Sequence, residues 1–346
     1  MEHETFIIEP TDKILWNKFL NTIPDDKKDI YYLADYVNLY KNKVCEPKCF
    51  IYKSKDNIFF YPFIKRSILK TKYYDLITPY GYGGAIMKNN DIEFTLSALK
   101  NLTNYINENN IISEQIKFHP LLKNYEIYKK TNSHKIYMAC NTVTIDCANE
   151  INFMWSKIYK KSNKEKIKKI QNKKAKIFFS NNKSSIIKFR EIYNNNLENI
   201  NAKKKYYFEL EYYYSFLNNL NNNFFIAHLE IENEILASQL VIYDKNYGHT
   251  HLQGTSIKGK KLGVTNLLKH EVIMKAKEMK LKYLHFGGGR TDDENDSLLK
   301  FKKGFSNTLS EFFIAEKIYN NNIYNDLIID TNDKMFYSYR NDNFIT

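Results

Sequence analysis

Residues 224–230, 235–243 and 247–254 are three runs rich in β-branched and aromatic residues, parted by short gaps that hold Glu232-Asn233 and Lys245-Asn246. Gaps that short close antiparallel hairpins, whereas parallel neighbours need a crossover of about a dozen residues or more. The second half of the chain must therefore contain an antiparallel meander, and the rest has to pack around it. Helical periodicity is expected over 151–175, 186–197 and 212–220 before the meander and over 265–279 after it. A strand at 283–286 and a short helix at 297–303 complete that half. The first half reads as helices at 12–20, 33–41 and 92–108, with Leu96, Leu99, Leu102 and Ile106 as the apolar face of the last. A strand pair at 49–53 and 58–65 turns at Lys55-Asp56-Asn57, and a strand at 116–119 follows the long helix. The fold class is α+β, with mixed central sheets flanked by helices. A basic helical segment begins beyond Asn149, which marks a boundary between domains 1–149 and 150–346.

The 346 residues are 43% hydrophobic, enough for a core in each domain. No run of about 18 apolar residues is present, so no membrane-spanning helix is expected. The acidic start, Met-Glu-His-Glu-Thr, argues against a secretory leader. Cys45, Cys49, Cys140 and Cys147 lack the two-residue gap of most zinc knuckles and are too few to staple the chain. They read as reduced thiols of a cytoplasmic protein. Neither a metal nor a tightly bound cofactor is expected.

A net charge of +13 calls for anionic partners: a nucleotide-linked substrate, coenzyme A, tRNA or a peripheral membrane surface. Much of the excess is lysine in a chain saturated with Lys, Asn, Ile and Tyr, so arginine is the better probe. Only Arg66, Arg190, Arg290 and Arg340 occur. Glycine is equally selective. All 11 lie at Gly81, Gly83 and Gly84 or from Gly248 to Gly304, where the backbone must need positive φ or close approach.

The densest cluster is Phe286-Gly287-Gly288-Gly289-Arg290, followed by Asp296-Ser297-Leu298-Leu299-Lys300-Phe301-Lys302-Lys303-Gly304-Phe305. Glycines at a strand end expose N–H groups, and Arg290 adds a guanidinium, so Gly288 and Arg290 are expected to hold an anionic group, with Ser297 beside them. Lys302, between Phe301 and Phe305, is a candidate to steady the oxyanion formed when an amine attacks an acyl carbonyl. Tyr80-Gly81-Tyr82-Gly83-Gly84 would form a turn presenting Tyr80, Tyr82 and Gly83 to an acceptor. Asp75, just upstream, would orient or deprotonate its amine.

These segments, together with Tyr247-Gly-His-Thr-His-Leu-Gln-Gly-Thr, Tyr73 through Gly84 and the Tyr-rich stretch from Tyr206 to Leu217, resemble the FemAB-like branch of the GNAT superfamily. The order of elements in the second half is also that of a GNAT acyltransferase core. The resemblance implies two GNAT-like subdomains, the first binding the acceptor and the second forming a catalytic cleft between splayed strands. It implies transfer of an acyl or aminoacyl group to an amine of a cell-envelope or nucleotide-linked precursor, with acyl-CoA or aminoacyl-tRNA as co-substrate. It also assigns Phe301 and Lys302 to transition-state stabilisation. Where GNAT enzymes carry an Arg/Gln-x-x-Gly-x-Gly/Ala loop for pyrophosphate, this chain reads Lys260-Lys261-Leu262-Gly263-Val264-Thr265.

His249 and His251 are expected on one strand face with His285 nearby. His251 reads as a substrate contact, with a three-imidazole zinc site the minor alternative. The segment 157–176 holds ten lysines. It reads as an amphipathic surface helix, or else as an electrostatic footprint for tRNA or lipid headgroups.

Overall fold

The computed structural model describes residues 3–220, 222–328 and 336–340. Two compact units are present: unit 1 comprises Met1–Ala139 and Glu311–Thr346, and unit 2 comprises Cys140–Ser310. Strands β1 (Glu4–Ile8), β2 (Cys45–Lys53), β3 (Ile58–Ser67), β4 (Tyr74–Ile77), β5 (Ile86–Met87) and β6 (Ile111–Lys117) come first. They are followed by β7 (Lys135–Asp146), β8 (Lys176–Ser180), β9 (Phe224–Ile231), β10 (Glu234–Tyr243), β11 (Tyr247–Thr255), β12 (Tyr283–Gly287) and β13 (Thr308–Ile318). The chain leaves unit 1 within β7 and returns within β13.

In unit 1 the strand order is β1-β2-β3-β4-β6-β13, with β5 set against β3. Among the described strands of this unit only β4 and β6 run parallel, and the helix Ile92–Glu108 lies in the connection that a parallel pair requires. Asp91 caps that helix by accepting the Phe94 N–H at 3.0 Å. Its buried face is Phe94, Ala98, Leu99, Leu102 and Ile106; Leu96, expected on that face, is 46% exposed. The face meets an aromatic core of Phe50, Phe59, Tyr61, Phe63 and Phe118.

The expected partition at Asn149 differs from the observed one. Residues after Ser310 rejoin unit 1 because β13 pairs antiparallel with β6, from Ile314↔Lys117 to Ile318↔Ser113. Such a return between distant segments leaves no local mark.

In unit 2 the order is β7-β12-β11-β10-β9-β8. The meander forms as expected, with Glu232 and Asn233 both at positive φ (54° and 61°) in the two-residue link between β9 and β10. The helix Thr265–Glu278 covers one face with Leu267, Leu268, Val272, Ile273 and Ala276. The lysine-rich segment is not one helix. Ile151–Phe153 runs into a π turn at Met154–Ile158, and Lys161–Gln171 starts afresh, burying Ile167 and Ile170 while its lysines face outward. Among the described residues no helix is long and apolar enough to cross a membrane.

Candidate functional site

Strands β11 and β12 are parallel neighbours for three pairs only, Tyr247↔Tyr283, Gly248↔Leu284 and His249↔His285. Beyond that, β11 stays on β10 as far as Thr255, while β12 bulges between His285 and Gly287 and follows β7. Two strands bonded to different partners part company, and a gap opens at their C-terminal ends. The glycine run and the helix Ser297–Lys302 begin there.

The glycines are occupied differently from the expectation. Gly287 has φ +73°, a conformation that disfavours any side chain, and a Cβ there would lie 3.5 Å from Lys302 Nζ. The Gly288 carbonyl accepts from Lys302 Nζ at 2.6 Å. At Gly289 a Cβ would sit 2.5 Å from Asp296 Oδ1. Asp296 caps the helix, accepting the Leu299 N–H at 2.8 Å, and also accepts from the backbone of Arg290 and Thr291. The N–H groups expected to cradle a ligand anion are thus partly filled by the chain's own carboxylate, whose pKa they lower. Arg290 is exposed, as is Ser297 at the first helical position. The charge of Arg290 is felt by Lys260, whose pKa is lowered mainly by partial burial and further by that guanidinium. Lys260, Lys261 and Leu262 are helical (Ile257–Leu262), and Gly263 closes that helix at φ +78°, so no open loop exists there.

Phe301 is half-buried and packs edge-on against the fully buried Phe305, centroids 5.6 Å apart. This fixes the helix turn from which Lys302 projects. Burial pushes the Lys302 ammonium down to about 8, with Asp296 and then Cys140 acting in the opposite sense. Below that pH it is a cation enclosed by protein with one backbone carbonyl as hydrogen-bond partner, which is how a charge is kept effective for an oxyanion. The Cys140 thiol lies beside it, and burial raises its pKa despite Lys302, the opposite of an activated nucleophile.

Sequence reasoning missed Lys269. It is 3% exposed, donates to Gln239 Oε1 at 2.6 Å and lies 4.8 Å from the centroid of the Phe286 ring. The Gln239 carboxamide cannot turn away, because its Nε2 donates to Leu252 O at 2.8 Å and Leu240 O at 3.2 Å. The ring contact favours the ammonium by about 2 kcal/mol, and burying the charge costs several kcal/mol. Burial wins, the nearby Lys302 charge adds to it, and the Lys269 pKa is held well below the usual lysine range. The one signal was periodicity: positions 269, 272 and 276 form the buried stripe of the helix.

In unit 1 the 80–84 segment bends at Tyr80 and Gly81, and Gly83 bridges to Phe118. Gly81 has φ +99° and Gly84 φ +86°; a Cβ on Gly81 would lie 2.5 Å from the Tyr31 ring. Tyr80 O accepts from Tyr36 Oη at 2.6 Å, and Gly83 O accepts from Tyr32 Oη at 3.1 Å and Asn124 Nδ2 at 2.8 Å. The half-exposed Tyr82 ring packs on Tyr31, His119 and Phe312. His119 Nε2 and Asp29 Oδ2, 2.6 Å apart and fully buried, stiffen this wall.

Asp75 is not where an acceptor amine could use it. Its carboxylate is 0% exposed and accepts from Arg66 Nε (2.7 Å), Arg340 Nε (2.6 Å) and Tyr339 Oη (3.0 Å). A carboxylate held by two guanidinium groups is an anchor for residues 336–340, not a base.

The histidines diverge. His249 Nδ1 faces His285 Nδ1 at 3.4 Å, whereas His251 is the extra residue where β10–β11 pairing jumps from Leu240↔Leu252 to Val241↔Thr250. The bulge turns His251 towards Tyr212, whose hydroxyl is 2.7 Å from Nε2. Burial holds its pKa down to about 3, so it is a neutral hydrogen-bonding group.

Residues 201–302 match the family described as acetyltransferase (GNAT) domain. No curated protein matches the sequence. Among solved structures, FemX superposes with a TM-score of 0.72 at 11% identity, covering 94% of this chain and 99% of FemX. The C-terminal domain of a putative lysylphosphatidylglycerol synthetase from Agrobacterium fabrum gives 0.57 at 10% identity, over 91% of this chain and 94% of that one. A tandem GNAT protein from the clavulanic acid biosynthesis pathway gives 0.55 at 7% identity, over 92% and 99%. The expected FemAB-like resemblance and GNAT architecture hold: the chain carries a GNAT domain at 201–302 and is a FemX-like protein in fold.

Proposed function

We propose that the protein is an N-acyltransferase of FemAB-like type, moving an aminoacyl or acyl group onto the amine of a cell-envelope or nucleotide-linked precursor. The observation that carries this reading is the enclosed Lys302 ammonium at the mouth of the parted strands, bonded to the Gly288 carbonyl and mounted on Phe301. The attacking nitrogen forms its bond to the acyl carbon as the carbonyl π electrons move to oxygen, and Lys302 stabilises that oxyanion. Collapse expels the thiol of coenzyme A or the ribose hydroxyl of tRNA, which takes up a proton. One donor of this kind contributes about 3–4 kcal/mol to the barrier. Arg290, with Lys260, would meet the anionic part of the donor in unit 2. Tyr80, Tyr82 and Gly83 would contact the acceptor in unit 1, Tyr82 offering its ring for stacking. The structural likeness to FemX supports an aminoacyl donor, and the acetyltransferase domain match supports an acyl thioester.

Thermal melts with acetyl-CoA, an aminoacyl-tRNA and a UDP-linked amino precursor test the donor and acceptor classes. A ligand bound only by the folded state adds about 2.7 kcal/mol at a hundred times its Kd. With the donor so found, Lys302→Ala should lower kcat by about a hundredfold or more while the donor Kd stays unchanged. A kcat within about twofold of the wild type would show that Lys302 has no part in the chemistry.

A further inference from the structure

Lys269 is a buried lysine whose surroundings no structural role explains. The other inward positions of its helix are Leu267, Leu268, Val272, Ile273 and Ala276, with Asn266 the one further polar residue, and an apolar residue at 269 would continue that core. The amine reaches Gln239 on β10 and the Phe286 ring on β12, two strands separated in the sheet by β11. It therefore spans the level at which β11 and β12 have ceased to pair. Because the Gln239 amide is clamped by two backbone carbonyls, its oxygen faces the amine and aligns one N–H.

We propose that the Lys269 amine, aligned by Gln239 at this level, accepts the proton that the attacking amine sheds on bonding to the acyl carbon. The proposal rests on the acyl-transfer reading and supplies the proton acceptor that reading lacks once Asp75 is withdrawn. In the step, the nitrogen–carbon bond forms, the N–H electron pair stays on that nitrogen, and the proton passes to Lys269 Nζ. When the tetrahedral species collapses, the new ammonium returns the proton to the departing sulfur or oxygen, and no other reactant is needed. Lys302 and Lys269 then divide two tasks: Lys302 serves the oxyanion, and Lys269, whose proton affinity burial and then the Lys302 charge lower, serves the proton. The titratable groups around Lys269 are few. His270 and Glu271 follow it on its own helix, His270 engaged with Tyr159 and Trp155. Glu165, on the helix packed alongside, is exposed; β10 presents Gln239 and β12 Phe286. Among the described residues, Lys302 is the charged group that acts on it.

Two measurements on the full chain test this. Without any substrate, the lysine Cε–Hε resonances of 13C-labelled protein are followed from pH 6 to 11, with Lys269→Met assigning the signal. Lys269 should titrate well below surface lysines, and titration near the ordinary value of about 10.4 would overturn the assignment by itself. With the donor found above, Lys269→Met and Lys269→Arg should each lower kcat about a hundredfold at pH 7 and abolish the acidic limb of the pH profile, with donor Kd unchanged. Arginine fails because it holds its proton. Loss confined to KM, or stable acylation of Lys269 seen by intact mass, would overturn the role. A low-titrating Lys269 with no transfer from any donor would instead sink the acyl-transfer reading, and this proposal with it.

Discussion

Asp75→Asn separates two meanings of one carboxylate. As a base, Asp75 would be needed for turnover and dispensable for folding; as an anchor, the reverse. The structure lets the second be given a size. Arg66 and Arg340 both direct Nε at this carboxylate, Tyr339 donates a third bond, and Asp75 and Arg66 are buried. The asparagine removes the negative charge and leaves two guanidinium groups facing a neutral amide. Arg66 Nη2 already lacks a hydrogen-bond partner, so the site has no reserve. Breaking a buried pair from one side costs about 3–5 kcal/mol. At roughly 2–4 °C per kcal/mol for a unit of this size, the melting temperature should fall by about 6–20 °C. Urea unfolding and limited proteolysis read the effect, with cleavage expected after the segment 336–340 comes loose. Arg340→Met, which leaves the Arg66–Asp75 pair intact, should cost less. At a temperature where Asp75→Asn is folded, kcat should stay within about threefold of the wild type. An unaltered melting temperature with kcat down about a hundredfold would refute the anchor and restore Asp75 to the chemistry.

Other expectations follow from the same geometry. Lys302 carries its charge below pH about 8, so transfer should fall as pH rises through that value; Lys302→Arg keeps its proton and should move the falling limb upward. A falling limb at the same pH in both proteins would assign it to another group. Gly289→Ala puts a Cβ on the Asp296 carboxylate, and loss of that cap should cost about 1 kcal/mol in a denaturant melt and weaken transfer; an unaltered protein would contradict the contact. His228 is fully buried against Phe178 and Ser238, with its pKa lowered to about 4 by burial and then by Lys188. The unfolded chain binds a proton there near pH 6.5 and the folded one does not, so stability should drop by roughly 3 kcal/mol between pH 6.5 and 4. His228→Gln should flatten that part of the urea-midpoint profile, and an identical profile would show that His228 does not titrate in this way.

What could be read from the sequence was whatever depends on near neighbours in the chain. The meander, its Glu232-Asn233 link and the helix Ile92–Glu108 are set by residues a few positions apart, and the glycine-to-Lys302 segment by a contact between residues 288 and 302. What escaped depends on partners far away. Arg340 reaches Asp75 across 265 positions, and nothing near either residue announces the other. With that pairing hidden, an aspartate beside a Tyr-Gly turn looked like a base. The return of β13 to β6 was hidden for the same reason, which moved the unit boundary. Lys269 was obscured differently: in a chain with 52 lysines and arginines, one more on a helix carries little information until its place on the buried stripe is noticed.

The glycine run changes meaning once its neighbours are known. A nest of N–H groups can hold a ligand anion only if nothing in the protein fills it, and here Asp296 is the internal anion. The same carboxylate caps the helix that ends at Lys302 and lends that lysine some of its charge stability. Gly287 has φ +73°, which favours glycine, and at Gly289 a Cβ would lie 2.5 Å from Asp296 Oδ1. The loop is therefore a mount that sets one ammonium at the opening between β11 and β12, and the charge left for a donor's anionic part lies on side chains, Arg290 and Lys260.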